Sequence, residues 1–246
     1  MERGWGDRRT DWRGRRGQAV LVLSLFVLAA CRGGSAVVPI RGKAPARQPA
    51  EVMSFRSAEW LERPGREESD RPEIVLQALR LRPGQVVAEI GCGSGFFARR
   101  LARAVAPGGR VYAEDIQPEM LDLLKERAAR EGIDNIVPVL GTDVDPKIPP
   151  GSVDWILMVD VYHEFQKPGP MLARIRDGLA PGGRVALVEY RQEGETASQV
   201  RPAHRMSVAQ VLAEWQPAGF ELVLRLETLP SQHLFVFRAT SPTESR

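Results

Sequence analysis

The sequence predicts an α/β fold, a doubly wound and mostly parallel sheet with helices on both faces. Three observations predict it. From residue 70 onward, helical and strand patterns alternate, as expected when crossover helices join parallel strands. A short apolar strand runs straight into the glycines of EIGCGSG (residues 89–95) and then into a helix, the arrangement that places a ligand at the end of a strand. The segment APGGRV occurs at 106–111 and again at 180–185, each time between helix and strand. It is one helix-stop and strand-start device used twice, with Gly supplying the left-handed turn.

Taken in order, Asp70-Arg71-Pro72 opens a helix with Pro in its first turn, and Ile74, Val75, Ala78 and Leu79 form its apolar stripe. Pro83-Gly84 stops it, and residues 85–90 make the first strand. Phe97, Leu101 and Val105 recur every four residues, giving a second helix that ends at Pro107. Residues 109–115 are the second strand. Residues 118–130 are a helix with Met120, Leu124 and Ala128 on one face, closed by Gly132. Strands follow at 135–140 and 153–160, a helix at 170–179 and a fifth strand at 184–190. Ser207 and Gln210 fit a capping box framed by the staple Met206 and Val211. Strands at 220–227 and 233–237 have no helix between them, so they should pair antiparallel.

The N-terminal part reads differently. Residues 1–30 carry six Arg against Glu2, Asp7 and Asp11, a net of +3, which equals the net charge of the whole chain. Residues 31–246 therefore sum to about zero, and no basic face for nucleic acid is expected. The apolar run 19–30 suits the core of an export signal and falls short of the ~20 residues a membrane-spanning helix needs. Leu28-Ala29-Ala30-Cys31 resembles the lipobox of bacterial lipoproteins. That resemblance implies a lipidated Cys31, a membrane anchor through the N-terminal lipid and an address in the cell envelope. Translation from Met53 would instead give a cytoplasmic protein. Gly, Pro, Ala and Arg without apolar periodicity make 31–52 a flexible tether, leaving one domain at 53–240 and a tail at 241–246.

Two familiar ligand loops fail at the glycines. A dinucleotide fingerprint needs a third Gly where Phe96 stands, and a P-loop needs Gly-Lys-Ser/Thr. The pattern E-x-G-x-G-x-G instead resembles motif I of the class I S-adenosylmethionine-dependent methyltransferases. GRVYAEDI, LGTDVD, GSVDWILMVDVYHEF and LAPGGRVALVEY resemble that family's later motifs in the right order, over residues 70–240. At motif level the closest group is the small-molecule one, which includes the quinone C-methyltransferases.

The resemblance implies a seven-stranded sheet of order 3-2-1-4-5-7-6 with an antiparallel last strand. It implies S-adenosyl-L-methionine as cofactor and in-line methyl transfer to a small-molecule or lipid-like acceptor. Backbone around Gly91, Cys92, Gly93 and Gly95 should meet the methionine carboxylate, and Glu89 with Asp160 its amino group. Asp115, with Glu114 as fallback, should hold the ribose hydroxyls, and Asp143 the adenine amine; Ile116 and Val144 complete the cofactor contacts.

Tyr162, His163 and Glu164 follow strand four, where this fold meets its acceptor, and are the candidate catalytic residues. A histidine near its ordinary pKa can take a proton at working pH, though His163 could equally bond a backbone carbonyl. His204-Arg205 is placed on a lid or at the surface, His233 is read as structural and Cys92 as a packing residue. Three scattered His and two unrelated Cys lack the spacing of a metal site or a disulfide framework. A non-catalytic ligand-binding or interaction protein and an aminopropyl transferase of the same fold stand as rivals. No motif speaks to oligomeric state.

Overall fold

The computed structural model describes residues 48–194 and 199–240. The signal read at 1–30, the lipidation at Cys31, the tether up to residue 47 and the tail 241–246 lie outside the described residues.

A single sheet holds β1 (Val86–Ile90), β2 (Arg110–Asp115), β3 (Ile136–Leu140), β4 (Val153–Val159), β5 (Leu179–Arg191), β7 (Phe220–Leu226) and β8 (Gln232–Ala239) in the order β3-β2-β1-β4-β5-β8-β7. A two-residue β6 (Arg205–Met206) lies off this path, parallel to the end of β5. Leaving β6 aside, the order is the expected one. β1 to β5 are mutually parallel, and β8 runs antiparallel to both β5 and β7. β5 begins five residues earlier than the sequence suggested. Leu179 already pairs with Val153, and the glycine turn at 181–183 is a register shift within the ladder rather than its start.

The helices are α1 (Arg66–Asp70), α2 (Pro72–Leu79), α3 (Phe96–Val105), α4 (Pro118–Arg130), α5 (Pro168–Gly178) and α6 (Val208–Trp215). Period-two alternation splits the strands between two cores. Val87, Ala186, Val188, Leu234 and Val236 face α2, α3 and α4, meeting Leu79, Leu101 and Leu124. Ala88, Val185, Leu187, Phe235 and Phe237 face α5 and α6, meeting Ile175, Val211 and Trp215. Trp215 stacks on Phe237 with ring centroids 4.4 Å apart. The Ser207 hydroxyl caps α6 by accepting from Gln210 N at 3.1 Å. The reciprocal bond, from Ser207 N–H to Gln210 Oε1, is not formed among the described residues, and the Gln210 NH₂ donates to Glu214.

The periodicity reading missed the segment before α2. Residues 55–62 form a 3-10 helix, and Ala50, within the span read as tether, is buried with its N–H bonded to the His163 carbonyl at 3.1 Å. Residues 50–62 thus make a strap. Phe55 N donates to Gln117 Oε1 and Gln117 Nε2 donates to the Met53 carbonyl, both at 2.9 Å. Met53 N reaches Glu164 Oε1 at 3.3 Å. Among the described residues, no helix is long and apolar enough to cross a membrane.

Candidate active site

Beneath the strap, at the carboxyl ends of β1, β2 and β4, lies a cavity of about 940 Å³. Its position follows from topology, because β1 and β4 diverge where the strand order reverses.

The loop after β1 forms one wall. Gly91 (φ 68°), Gly93 (φ 53°) and Gly95 (φ 86°) are all left-handed, a region that costs other L-residues ~1–2 kcal/mol. Gly91 and Gly93 line the cavity. Gly95 does not; it caps α3, and a Cβ there would sit 2.1 Å from Leu124 Cδ1, so it serves the packing of α3 on α4. Cys92 is buried, and burial followed by the neighbouring Glu89, Asp115 and Glu114 pushes its thiol well up, consistent with packing.

Four carboxyl groups converge on this wall. Asp115, at the end of β2, accepts from Gly93 N and Gln117 N, each at 2.9 Å, which fixes it while leaving each oxygen a second lone pair. Burial raises its pKa against those two bonds. Glu114, one residue earlier on β2, lies deeper. It accepts from Gly91 N at 3.2 Å, and a Cβ on Gly141 would meet its Oε1 at 1.8 Å. Glu89 is buried and Asp160 partly buried, each with one buried oxygen (Oε2 and Oδ1) lacking a hydrogen-bond partner among the described residues, as has Glu114 (Oε1). Burial pushes Glu89 up to about 8, and burial with the nearby Glu189 charge raises Asp160.

Ile116 is 41% exposed and presents an apolar face to the cavity. Asp143 lines the rim but is half exposed and bonded to Lys167 at 2.9 Å. Val144 lies outside the lining.

The opposite wall follows β4. His163 and Glu164 line the cavity; burial raises Glu164 to about 7, with the His163 charge opposing. Tyr162 does not belong there. It is fully buried, its hydroxyl donates to Glu214 Oε2 at 2.6 Å, and its ring packs on Trp215 and Phe165. Residues 162–164 form a 3-10 helix, which turns Tyr162 into the α5–α6 core while His163 and Glu164 face the cavity. The sequence reading did not name Glu189 of β5, which bonds the His163 ring, whereas His204, placed on a lid or at the surface, lines the cavity beside it. His233 is held between Glu227 and Glu193, as a structural histidine would be. Among the described residues, no group of three His, Cys, Asp or Glu is arranged to hold a metal ion.

Residues 87–183 match the model of a family described as a methyltransferase domain. Over those residues the chain is similar to a methyltransferase domain. Its fold is similar to the crystal structure of an S-adenosylmethionine-dependent methyltransferase from Aquifex aeolicus, with a TM-score of 0.71 and 25% identity over 76% of this chain and 98% of that one. Among curated proteins it is similar to a protein-L-isoaspartate O-methyltransferase from Methanopyrus kandleri, 38% identical over 50% of this chain and 57% of that protein. It is also similar to a ubiquinone/menaquinone biosynthesis C-methyltransferase from Cupriavidus metallidurans, 27% identical over 48% of each. The chain spans about half the length of these two curated relatives.

Family and fold together imply S-adenosylmethionine as the cofactor, and the wall after β1 and β2 fits it. The unpartnered buried oxygens of Glu89 and Asp160 suit an ammonium group. A fixed carboxylate with free lone pairs suits a vicinal diol, and the exposed face of Ile116 suits a flat ring.

Proposed function

We propose that this chain transfers a methyl group from S-adenosylmethionine to a small or lipid-like acceptor. One observation carries the reading: a single cavity holds Gly91 and Gly93 of motif I, Glu89, Asp115 and Asp160 on one wall and a histidine-bearing wall opposite. When bound, the cofactor supplies a methyl group already activated on a sulfonium. The protein therefore has mainly to align the acceptor, and alignment can contribute up to ~7–11 kcal/mol.

In this reading, Glu89 and Asp160 hold the amino group, the N–H groups of the glycine loop meet the carboxylate, and Asp115 holds the ribose hydroxyls. Asp143 reaches the adenine amine by giving up part of its bond to Lys167. The strap closes the roof and keeps water from the reacting atoms. S-adenosylhomocysteine should raise the melting temperature of the chain while NAD leaves it unchanged; no shift with S-adenosylhomocysteine would sink the cofactor assignment.

The lipobox-like sequence supports a second element of the proposal, that the domain is carried on a lipid-modified N-terminus at the cell envelope. Metabolic labelling with a fatty acid, compared between the natural chain and Cys31→Ala, tests it. Equal labelling of both would remove the anchor.

A further inference from the structure

The wall after β4 and β5 carries three groups in series. Glu189 is fully buried. Its Oε1 accepts from the backbone N–H of Tyr162 at 2.7 Å and of His163 at 3.3 Å. Its Oε2 takes the Nδ1 side of His163 at 2.7 Å. Nε2 of His163 then lies 3.0 Å from Nδ1 of His204, the two rings meeting edge to face. Resting on the methyltransferase reading above, we propose that Glu189, His163 and His204 form a proton relay that makes Nε2 of His204 the general base. Its acceptor is a neutral phenol- or enol-type hydroxyl carried on an apolar body.

The tautomers follow from the carboxylate. Glu189 can only accept when ionised, so His163 is protonated at Nδ1 and presents the lone pair of Nε2. His204 donates its Nδ1–H to that lone pair, which leaves Nε2 of His204 as the basic end of the chain. In the transfer, the acceptor O–H bond breaks towards Nε2 of His204 while the oxygen forms its bond to the methyl carbon. The carbon–sulfur pair stays on sulfur. The Nδ1 proton of His204 passes to Nε2 of His163, and the positive charge comes to rest beside Glu189.

Electrostatics agree with that direction. Burial, then the charges of His163 and Arg201, lower His204, keeping its lone pair available. Burial pulls His163 down, but the charge and hydrogen bond of Glu189, with Asp160 and Glu164 nearby, outweigh it and raise the imidazole. The proton therefore travels from the weaker base to the stronger.

The acceptor class follows from the rest of the cavity. Asp70, Glu89, Asp115, Asp160 and Glu164 line it against Arg66 and Arg201, which disfavours an acceptor that arrives as an anion, such as a carboxylate. A thiol could ionise without help. A neutral hydroxyl needs a base, and an imidazole suits a phenol or enol best, since such a hydroxyl (a phenol titrates at roughly 10) is far more acidic than an alcohol yet stays protonated at working pH. Val161, Phe165, Met171 and Val200 line the cavity and supply apolar contact for the acceptor body.

The test uses the full chain, with 4-nonylphenol as acceptor probe and S-adenosylhomocysteine binding as a separate measurement. The key variant is Glu189→Gln. Its amide oxygen still accepts from Tyr162 N and His163 N, but its NH₂ now donates to His163 Nδ1 and reverses the tautomer. Nitrogen-15 spectra of the histidine rings should show His163 moving from the Nδ1–H to the Nε2–H form. Methyl transfer to the phenol should fall by about 100-fold or more in Glu189→Gln and in His204→Ala, the range expected for loss of a general base. S-adenosylhomocysteine affinity should stay within about twofold of the natural chain, since neither residue touches the cofactor in this reading.

An unchanged tautomer or undiminished transfer in these variants would overturn the relay. Bound S-adenosylhomocysteine without any methylation of the phenol would overturn the acceptor class. Failure of the natural chain to bind S-adenosylhomocysteine would overturn the methyltransferase reading beneath both.

Discussion

The cavity wall from β1 to β3 is built of backbone turns and fixed carboxyl groups from short contiguous motifs, whereas the wall after β4 and β5 is assembled from side chains far apart in sequence. Glu89 to Asp115 spans two strands and one helix, and the positions are set by glycine dihedrals and strand register. His163, Glu189 and His204 come from a turn, a strand and a loop, joined only through their hydrogen bonds. The first wall is rigid and chemically generic; the second holds the groups that can discriminate one acceptor from another.

That contrast can be broken at its strongest point first. Asp115→Ala removes the carboxylate that fixes Gly93 and the proposed ribose contacts, and should weaken S-adenosylhomocysteine binding by about 100-fold, measured calorimetrically. Unchanged affinity would move the diol contact to Glu114. Gly95→Ala should instead cost stability, about 2–4 kcal/mol in denaturant unfolding, from the left-handed backbone and the collision with Leu124. A purely cofactor-binding role for Gly95 would leave stability intact.

A pH test follows, with a smaller effect. Burial holds Glu89 near 8 against an ordinary value of 4.5, so the folded chain binds a proton that the unfolded chain releases. The ligand-free protein should therefore lose stability as pH rises from about 4.5 through about 8. Affinity for S-adenosylhomocysteine should rise over the upper part of that window, because the ammonium needs the ionised carboxylate. Glu89→Gln should flatten both dependences and weaken binding by about tenfold. Profiles as steep as in the natural chain would assign them to another group. The smallest change is expected from Tyr162→Phe. Losing the bond to Glu214 should cost about 1 kcal/mol of stability and leave methyl transfer within about twofold.

The same contrast explains what the sequence could say. The succession of helices and strands and the glycine loop were readable because each is written in local spacing, while the sheet order came from the family resemblance. Asp115 was named because the family resemblance puts an acid at that strand end. The relay could not, because Glu189 reads as one polar residue at the end of an apolar strand and His204 as a loop histidine. Only the crossover from β4 to β5 brings them together. Nor does the sequence show that Tyr162 packs into the α5–α6 core while the adjacent His163 faces the cavity, since both belong to one 3-10 turn. The strap escaped notice because Phe55–Glu62 is a 3-10 helix, whose three-residue turns leave no 3.6-residue pattern.

The strap itself has a thermodynamic consequence. It is fastened to the first wall through Gln117 and to the second through Glu164 and the His163 carbonyl. Any ligand that favours its closed position from one side lowers the cost of closing on the other, and the linkage is reciprocal. Occupancy of the two walls is then one coupled equilibrium, in which a ligand on either wall raises affinity for a ligand on the other by the same factor.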